Sequence, residues 1–169
     1  MSETTHEWLK RVSREERRAA GKAVRDTLPL AGLAEVGATM VGRDPVTLIG
    51  DRDAGRLEWL VPIRYGRMLR SAFTFYRGSA ALMAHDLAFA PSSGLTVQLC
   101  GDAHLLNFGI FGSPERSLVF DLNDFDETLP GPFEWDVKRL VASVVVAARD
   151  RGFKPKRQRE IAFATAERY

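Results

Sequence analysis

Between Leu95 and Ala148 the sequence passes from strand-like alternation to helical spacing, and this order limits the fold more than any other feature. Leu95–Cys100, LTVQLC, puts Leu95, Val97 and Leu99 to one side, the period of a strand. Gly101 and Asp102 turn the chain, and Asn107–Phe111 reads as a second short strand. Ser113-Pro114-Glu115-Arg116 is a turn, and Ser117–Leu122, SLVFDL, is a third strand. An acidic loop runs from Asn123 to Glu134 and contains Pro130-Gly131-Pro132. Asp136 then serves as N-cap of a helix in which Val137, Leu140, Val141, Val144, Val145 and Ala148 recur at helical spacing, with Gly152 closing it. Strand, turn, strand, turn, strand, acidic loop and buried helix predict an α+β fold.

The flanks are more helical. Residues 8–28 read as an exposed basic helix, with Ser13 and Glu16 as a capping box and Pro29 as its stop. Residues 29–56 carry five glycines and two prolines and read mostly as loop, with a short helix expected at Asp44-Pro45. In 57–70 the apolar spacing is interrupted by Pro62 and Gly66. Residues 73–90 predict a buried helix beginning near Gly78, and Pro155 opens a last helix carrying Ile161 and Phe163. That helix meets the end of the chain without a stop signal, so the sequence reads as part of a longer protein.

Composition removes several classes. No apolar run approaches the ~20 residues of a membrane helix, and the first 20 residues hold no apolar core of a secretory signal; the expectation is a cytoplasmic chain without a membrane partner. A single cysteine, Cys100, excludes an internal disulfide and a multi-cysteine zinc site. The net charge of +2 hides an asymmetry. Lys10–Arg25 holds seven basic residues against two acids, whereas Asp102–Asp136 holds eight acids against Arg116 alone. Aromatic residues hardly interleave with the basic stretch, which argues against nucleic acid as a partner. The acids repel one another unless a cation or arginines relieve them.

The chemistry concentrates in two segments. Asp102 and Asn107 lie five residues apart on a tight loop leaving a strand, and Asp121 ends the third strand. Carboxylate and amide oxygens, completed by phosphate oxygens, are what Mg²⁺ prefers. A further carboxylate nearby can take a proton from an attacking hydroxyl. Asp121 ends an apolar run, so a buried position would require a metal, an arginine or backbone donors. Asp124 follows three residues later as its rival. His104 is expected to steady the loop with a ring nitrogen on a backbone carbonyl. Arg77, read as starting a buried helix, is either a forked phosphate clamp for a cofactor or a salt-bridge partner of the acids at 121–126. Lys138 and Arg139 are read as answering the acidic loop.

Gly101-Asp102-x-His104-x-x-Asn107, followed by an apolar strand ending in Asp121, resembles the catalytic core of the aminoglycoside-phosphotransferase branch of the protein-kinase-like fold. The resemblance implies Asp102 as catalytic-loop base, Asn107 as metal ligand, Asp121 as metal-binding acid and Asp136 as the acid that braces the catalytic loop. Three longer blocks, FYRGSAALMAHDLA, VQLCGDAHLLNFG and LVFDLNDFDETLPGPFEWDVKRL, are similar to the bacterial family catalogued as domain of unknown function 2252. Together the resemblances imply a basic segment, residues 1–28, ahead of a partial kinase-like domain, residues 29–169, truncated in its C-terminal lobe. They imply Mg²⁺, with ATP or another nucleotide as phosphate donor, and a small-molecule or protein hydroxyl as acceptor.

The chain departs from the kinase pattern in three places. Cys100 stands where that pattern has His, no G-x-G-x-x-G loop is present, and no strand Lys is evident; Arg64, Arg67, Arg70 and Arg77 are the candidates to carry its charge. The leading expectation is a Mg²⁺-dependent phosphotransferase. The alternatives are a non-catalytic, pseudokinase-like binding module and a metal-dependent hydrolase built on the acidic cluster.

Overall fold

A computed structural model describes residues 12–35 and 41–169. The beginning of the predicted first helix, residues 8–11, lies outside them. Helix α1 (Arg14–Thr27) starts at the predicted capping box: Ser13 Oγ accepts from Glu16 N, and the Glu16 carboxylate accepts from Ser13 N. Helix α2 (Pro45–Gly50) begins as expected, with Asp44 accepting from Val46 N at 3.0 Å. Helix α3 (Val61–Met68) runs through Pro62 and Gly66. Pro62 does not break it, because a residue at the start of a helix needs no N–H for the helical ladder.

Two helices replace the single one predicted across 73–90: α4 (Ala72–Arg77) and α5 (Ala80–Leu87). Gly78 ends α4, its N–H bonding back to Thr74 and Phe75 carbonyls. Arg77 therefore stands in the last turn of α4 and is exposed, where the sequence placed it at the start of a buried helix.

Strand β1 (Thr96–Leu99) pairs antiparallel with β4 (Leu129–Pro132), and β2 (Phe108–Gly112) pairs antiparallel with β3 (Leu118–Leu122). The β2–β3 hairpin follows the predicted strands. β4 lies inside the stretch read as acidic loop. Its prolines alternate with residues whose N–H groups remain available, and Gly131, opposite Val97, leaves room for the Leu99 side chain. The chain is mixed α+β.

Helix α6 (Glu134–Asp150) organises the interior. Leu140 and Val144 pack on Cys100 and Ala103 of the β1–β2 connection, joined by Phe108, Leu122 and Ile161. Helix α7 (Pro155–Arg168) lies along α6 and presents Ile161 to this core, while Phe163 stays exposed. Helix α6 begins two residues before Asp136, so Asp136 does not cap it. Its carboxylate reaches across to the loop after β1 instead. No helix among the described residues is long and apolar enough to cross a membrane.

Candidate functional site

The turn after β1 is forced by one glycine. Gly101 has φ +87°, and a Cβ there would meet the Glu127 carbonyl oxygen at 2.0 Å. The turn is held from below by Asp136, whose two carboxylate oxygens accept from Cys100 N at 2.7 Å and Gly101 N at 3.1 Å. Burial pushes the Asp136 carboxyl above its ordinary range, and these two donors work against that shift.

Asp102 is next in the chain, 8% exposed, and its Oδ1 is taken by Arg139, whose Nε donates at 2.5 Å and whose Nη2 forms a second contact. Arg139 is 3% exposed on the inner face of α6. Its guanidinium lies 4.5 Å from the centre of the Tyr76 ring, and Nη2 also donates to the Tyr76 carbonyl at 3.0 Å. The Tyr76 hydroxyl donates to the Arg139 carbonyl at 2.8 Å, and burial pushes its pKa up to about 12. Arg139 thus answers an acid, as expected of it, but the acid is Asp102 and not one in the 123–134 loop.

The loop closes on itself. The Asn107 amide donates to the Asp102 carbonyl at 2.8 Å, which leaves Asn107 Oδ1 without a hydrogen-bond partner among the described residues. Ser143 of α6 accepts from Leu105 N at 2.9 Å. His104 Nδ1 accepts from Leu106 N at 3.2 Å, so this ring nitrogen meets a backbone N–H and not the carbonyl expected. The ring proton is then on Nε2, which lies 3.8 Å from Asp102 Oδ2. Burial lowers the His104 pKa below its ordinary value; the Asp102 charge opposes this, and Arg77 and Arg139 reinforce it. A histidine with a depressed folded pKa stabilises the fold above its unfolded value of about 6.5 and withdraws that stability as pH falls below it. NMR titration should therefore place the His104 midpoint below 6.5. His104→Asn should flatten the rise in Tm as pH climbs toward 6.5; a slope as steep as wild type would refute this account.

The two acids that rival each other separate clearly. Asp121 pairs across the hairpin with Gly109, is exposed, and has Oδ1 satisfied by Leu122 N at 2.7 Å. Of the three partners foreseen for it, a backbone donor is present on Oδ1. Asp124 instead lines a cavity of about 390 Å³ together with Asp102, His104 and Asn107. The reason lies in the backbone. Asn123 N donates to Asn107 O at 3.0 Å, extending the β2–β3 pairing one step past the strands. The next residue, Asp124, has its carbonyl held by the Cys100 thiol at 3.2 Å. Burial raises that thiol to a pKa of about 11, so it remains a protonated donor. Asp121 does not line this cavity, and the predicted convergence of Asn107 with Asp121 is replaced by Asn107 with Asp124.

Arg64, Arg67 and Arg77 line the same cavity from α3 and α4, while Arg70 does not. Arg77 makes no ion pair with the acids at 121–126 or with any other described residue. A larger cavity of about 770 Å³ adjoins the first and shares Arg64, Arg77, Gly78 and Asp102 with it. Glu127 lines it, its carboxyl raised by burial first and by the charges of Asp102, Asp124 and Asp126 next. Among the described residues no group of three His, Cys, Asp or Glu side chains can hold a metal by itself.

Sequence reasoning missed Arg139 as the partner of Asp102. A signal was present: Arg139 falls beside Leu140 on the apolar stripe of α6, where a charge needs a buried partner. Residues 56–169 match the family model described as "Uncharacterized protein conserved in bacteria (DUF2252)". No curated protein and no solved structure matches the chain.

Proposed function

The chain belongs to this bacterial family, DUF2252, and from that premise we propose that its 101–124 region carries Mg²⁺-dependent phosphoryl transfer to a hydroxyl of a small molecule or protein. The observation that carries the reading is one cavity lined by Asp102, Asn107 and Asp124 together with Arg64 and Arg77. The kinase-like resemblance of the Gly101–Asn107 segment agrees with it, with Asp124 taking the metal role in place of Asp121.

The donors fit a hard cation. Asn107 Oδ1 has no hydrogen-bond partner among the described residues, and Asp124 spends one oxygen on Asp126 N at 3.3 Å. Both are oxygen ligands, and too few protein ligands for a closed site leaves room for phosphate and water, the habit of Mg²⁺. When bound there, the ion would neutralise charge on the transferring phosphoryl group.

The chain's own residues do the rest. Asp102, with Oδ1 fixed by Arg139, offers Oδ2 to the proton of the acceptor hydroxyl. The hydroxyl oxygen forms a bond to phosphorus as the bond from phosphorus to the donor's bridging oxygen breaks, and the leaving oxygen keeps that electron pair. Asp136 keeps the loop in place by its bonds to Cys100 N and Gly101 N.

Asp124→Asn is expected to abolish the Mg²⁺ dependence of ATP affinity measured by calorimetry, while Asp121→Asn leaves it as in wild type. Equal magnesium dependence in wild type and Asp124→Asn would reject the assignment. Mass spectrometry after incubation with labelled ATP separates transfer from binding alone. The binding-module reading has one observation in its favour: Asp102 already spends an oxygen on Arg139. ATP bound without turnover would support it.

A further inference from the structure

Four arginines from separate segments line the larger cavity. Arg52 comes from the turn at Asp51–Asp53, Arg56 from just after it, Arg64 from α3 and Arg77 from the end of α4. Arg64 is held rigidly: Nη2 donates to the Gly78 carbonyl at 2.6 Å and Nη1 to Asp53 at 3.4 Å. Arg56 Nε donates to the Arg52 carbonyl at 3.1 Å. Arg77 makes no ion pair with a described residue. The one acid that both cavities share, Asp102, has its charge met by the buried Arg139.

Asp51, Asp102 and Glu127 also line this space, and Asp53 pairs with Arg64 at 3.4 Å and with Arg56 at 3.8 Å; Arg52 and Arg77 have no ion pair with a described residue, and their charges repel each other unless an anion lies between them. Forked guanidinium groups match phosphate oxygens two at a time. The cavity, at about 770 Å³, is within the usual range for small-molecule sites. Its lining also includes apolar residues, Ile49, Leu99 and Trp135 among them. Arg64, Arg77 and Asp102 line both cavities. The sequence carries no glycine-rich loop to do this work.

We propose that this cavity is the subsite for a linked di- or triphosphate, with its terminal phosphoryl group between Arg64 and Arg77. The inference rests on the function proposed above for the purpose of the subsite, but capture by arginines needs no metal. That difference lets the two be tested apart.

The test is calorimetry on the whole chain in EDTA at low salt, with tripolyphosphate, ATP and inorganic phosphate as probes. Tripolyphosphate and ATP are expected to bind at least about tenfold more tightly than inorganic phosphate. ATP exceeding tripolyphosphate assigns the phosphates to a nucleotide packed on the apolar lining residues; equal affinity assigns them to the phosphate chain alone, and either supports the subsite. Arg77→Gln, at an exposed position with no ion-pair partner, should keep the wild-type circular dichroism and lose about tenfold in affinity. Arg77→Lys should recover part of it. Arg56→Gln provides a second variant distant from Asp102 in sequence. A folded wild-type chain that binds tripolyphosphate no better than phosphate, or Arg77→Gln and Arg56→Gln that both bind as wild type, overturns the subsite. Loss of only the magnesium result overturns the catalytic reading and leaves the subsite standing.

Discussion

Arg139→Met is expected to destabilise the fold by about 3–5 kcal/mol, because it leaves a buried carboxylate without its partner. Asp102 would keep a largely buried side chain while losing both contacts to Oδ1. The Tyr76 carbonyl would lose the Nη2 donor and the Tyr76 ring its stacked cation. For a chain of this size that corresponds to a fall in Tm of about 10 °C. Asp102→Asn in the Arg139→Met background removes the stranded charge and should recover about 2 kcal/mol. Urea unfolding of the two single variants and the double variant measures the coupling. An Arg139→Met chain within 1 kcal/mol of wild type, the usual effect of a surface change, would mean that the pair does not hold the loop.

Gly101→Ala is expected to cost about 4 kcal/mol. A non-glycine residue in the left-handed region costs about 1–3 kcal/mol, and forcing an atom into packed structure adds about 1–3 kcal/mol. Here the obstacle is backbone: the Glu127 carbonyl carbon lies 2.6 Å from the added Cβ, beyond the 2.0 Å contact to its oxygen. Relief would require moving the segment that leads into β4, or tearing the Cys100 and Gly101 amides from Asp136. Gly152→Ala is the control. It shares the positive φ, +74°, but has nothing within 4 Å, so only the conformational cost of about 1–2 kcal/mol should remain. Guanidinium unfolding compares the two. The amide shifts of Cys100 and Gly101 should move in the first variant and not in the second. Equal costs would show that the approach to Glu127 does not constrain the turn.

The parts of this fold that rest on neighbouring residues were readable along the chain. The Ser13–Glu16 capping box, the Asp44 cap, the β2–β3 hairpin and the stripe of α6 each depend on spacings of two to four residues. Local rules failed where a residue's meaning depends on its place in an element. Pro62 reads as a break but enters α3 near its start, and Gly78 reads as a beginning but ends α4. Pro130 and Pro132 read as loop because they lack N–H donors, yet they sit in β4 opposite Gln98 and Thr96.

At the site the same division holds. Sequence alone singled out Asp102, His104, Asn107 and the acid pair Asp121 and Asp124, because a glycine-aspartate turn after a strand is a local signal. Tertiary structure decided which acid joins the amide: the pairing of Asn123 with Asn107 and the bond from Cys100 to the Asp124 carbonyl carry Asp124 into the cavity. It also decided that Arg139, 37 residues from Asp102, is the buried counter-charge, and that arginines from three segments line one cavity. Spacing along a chain specifies which way a side chain leaves its own element; only the packing of elements brings charges from distant segments to one point.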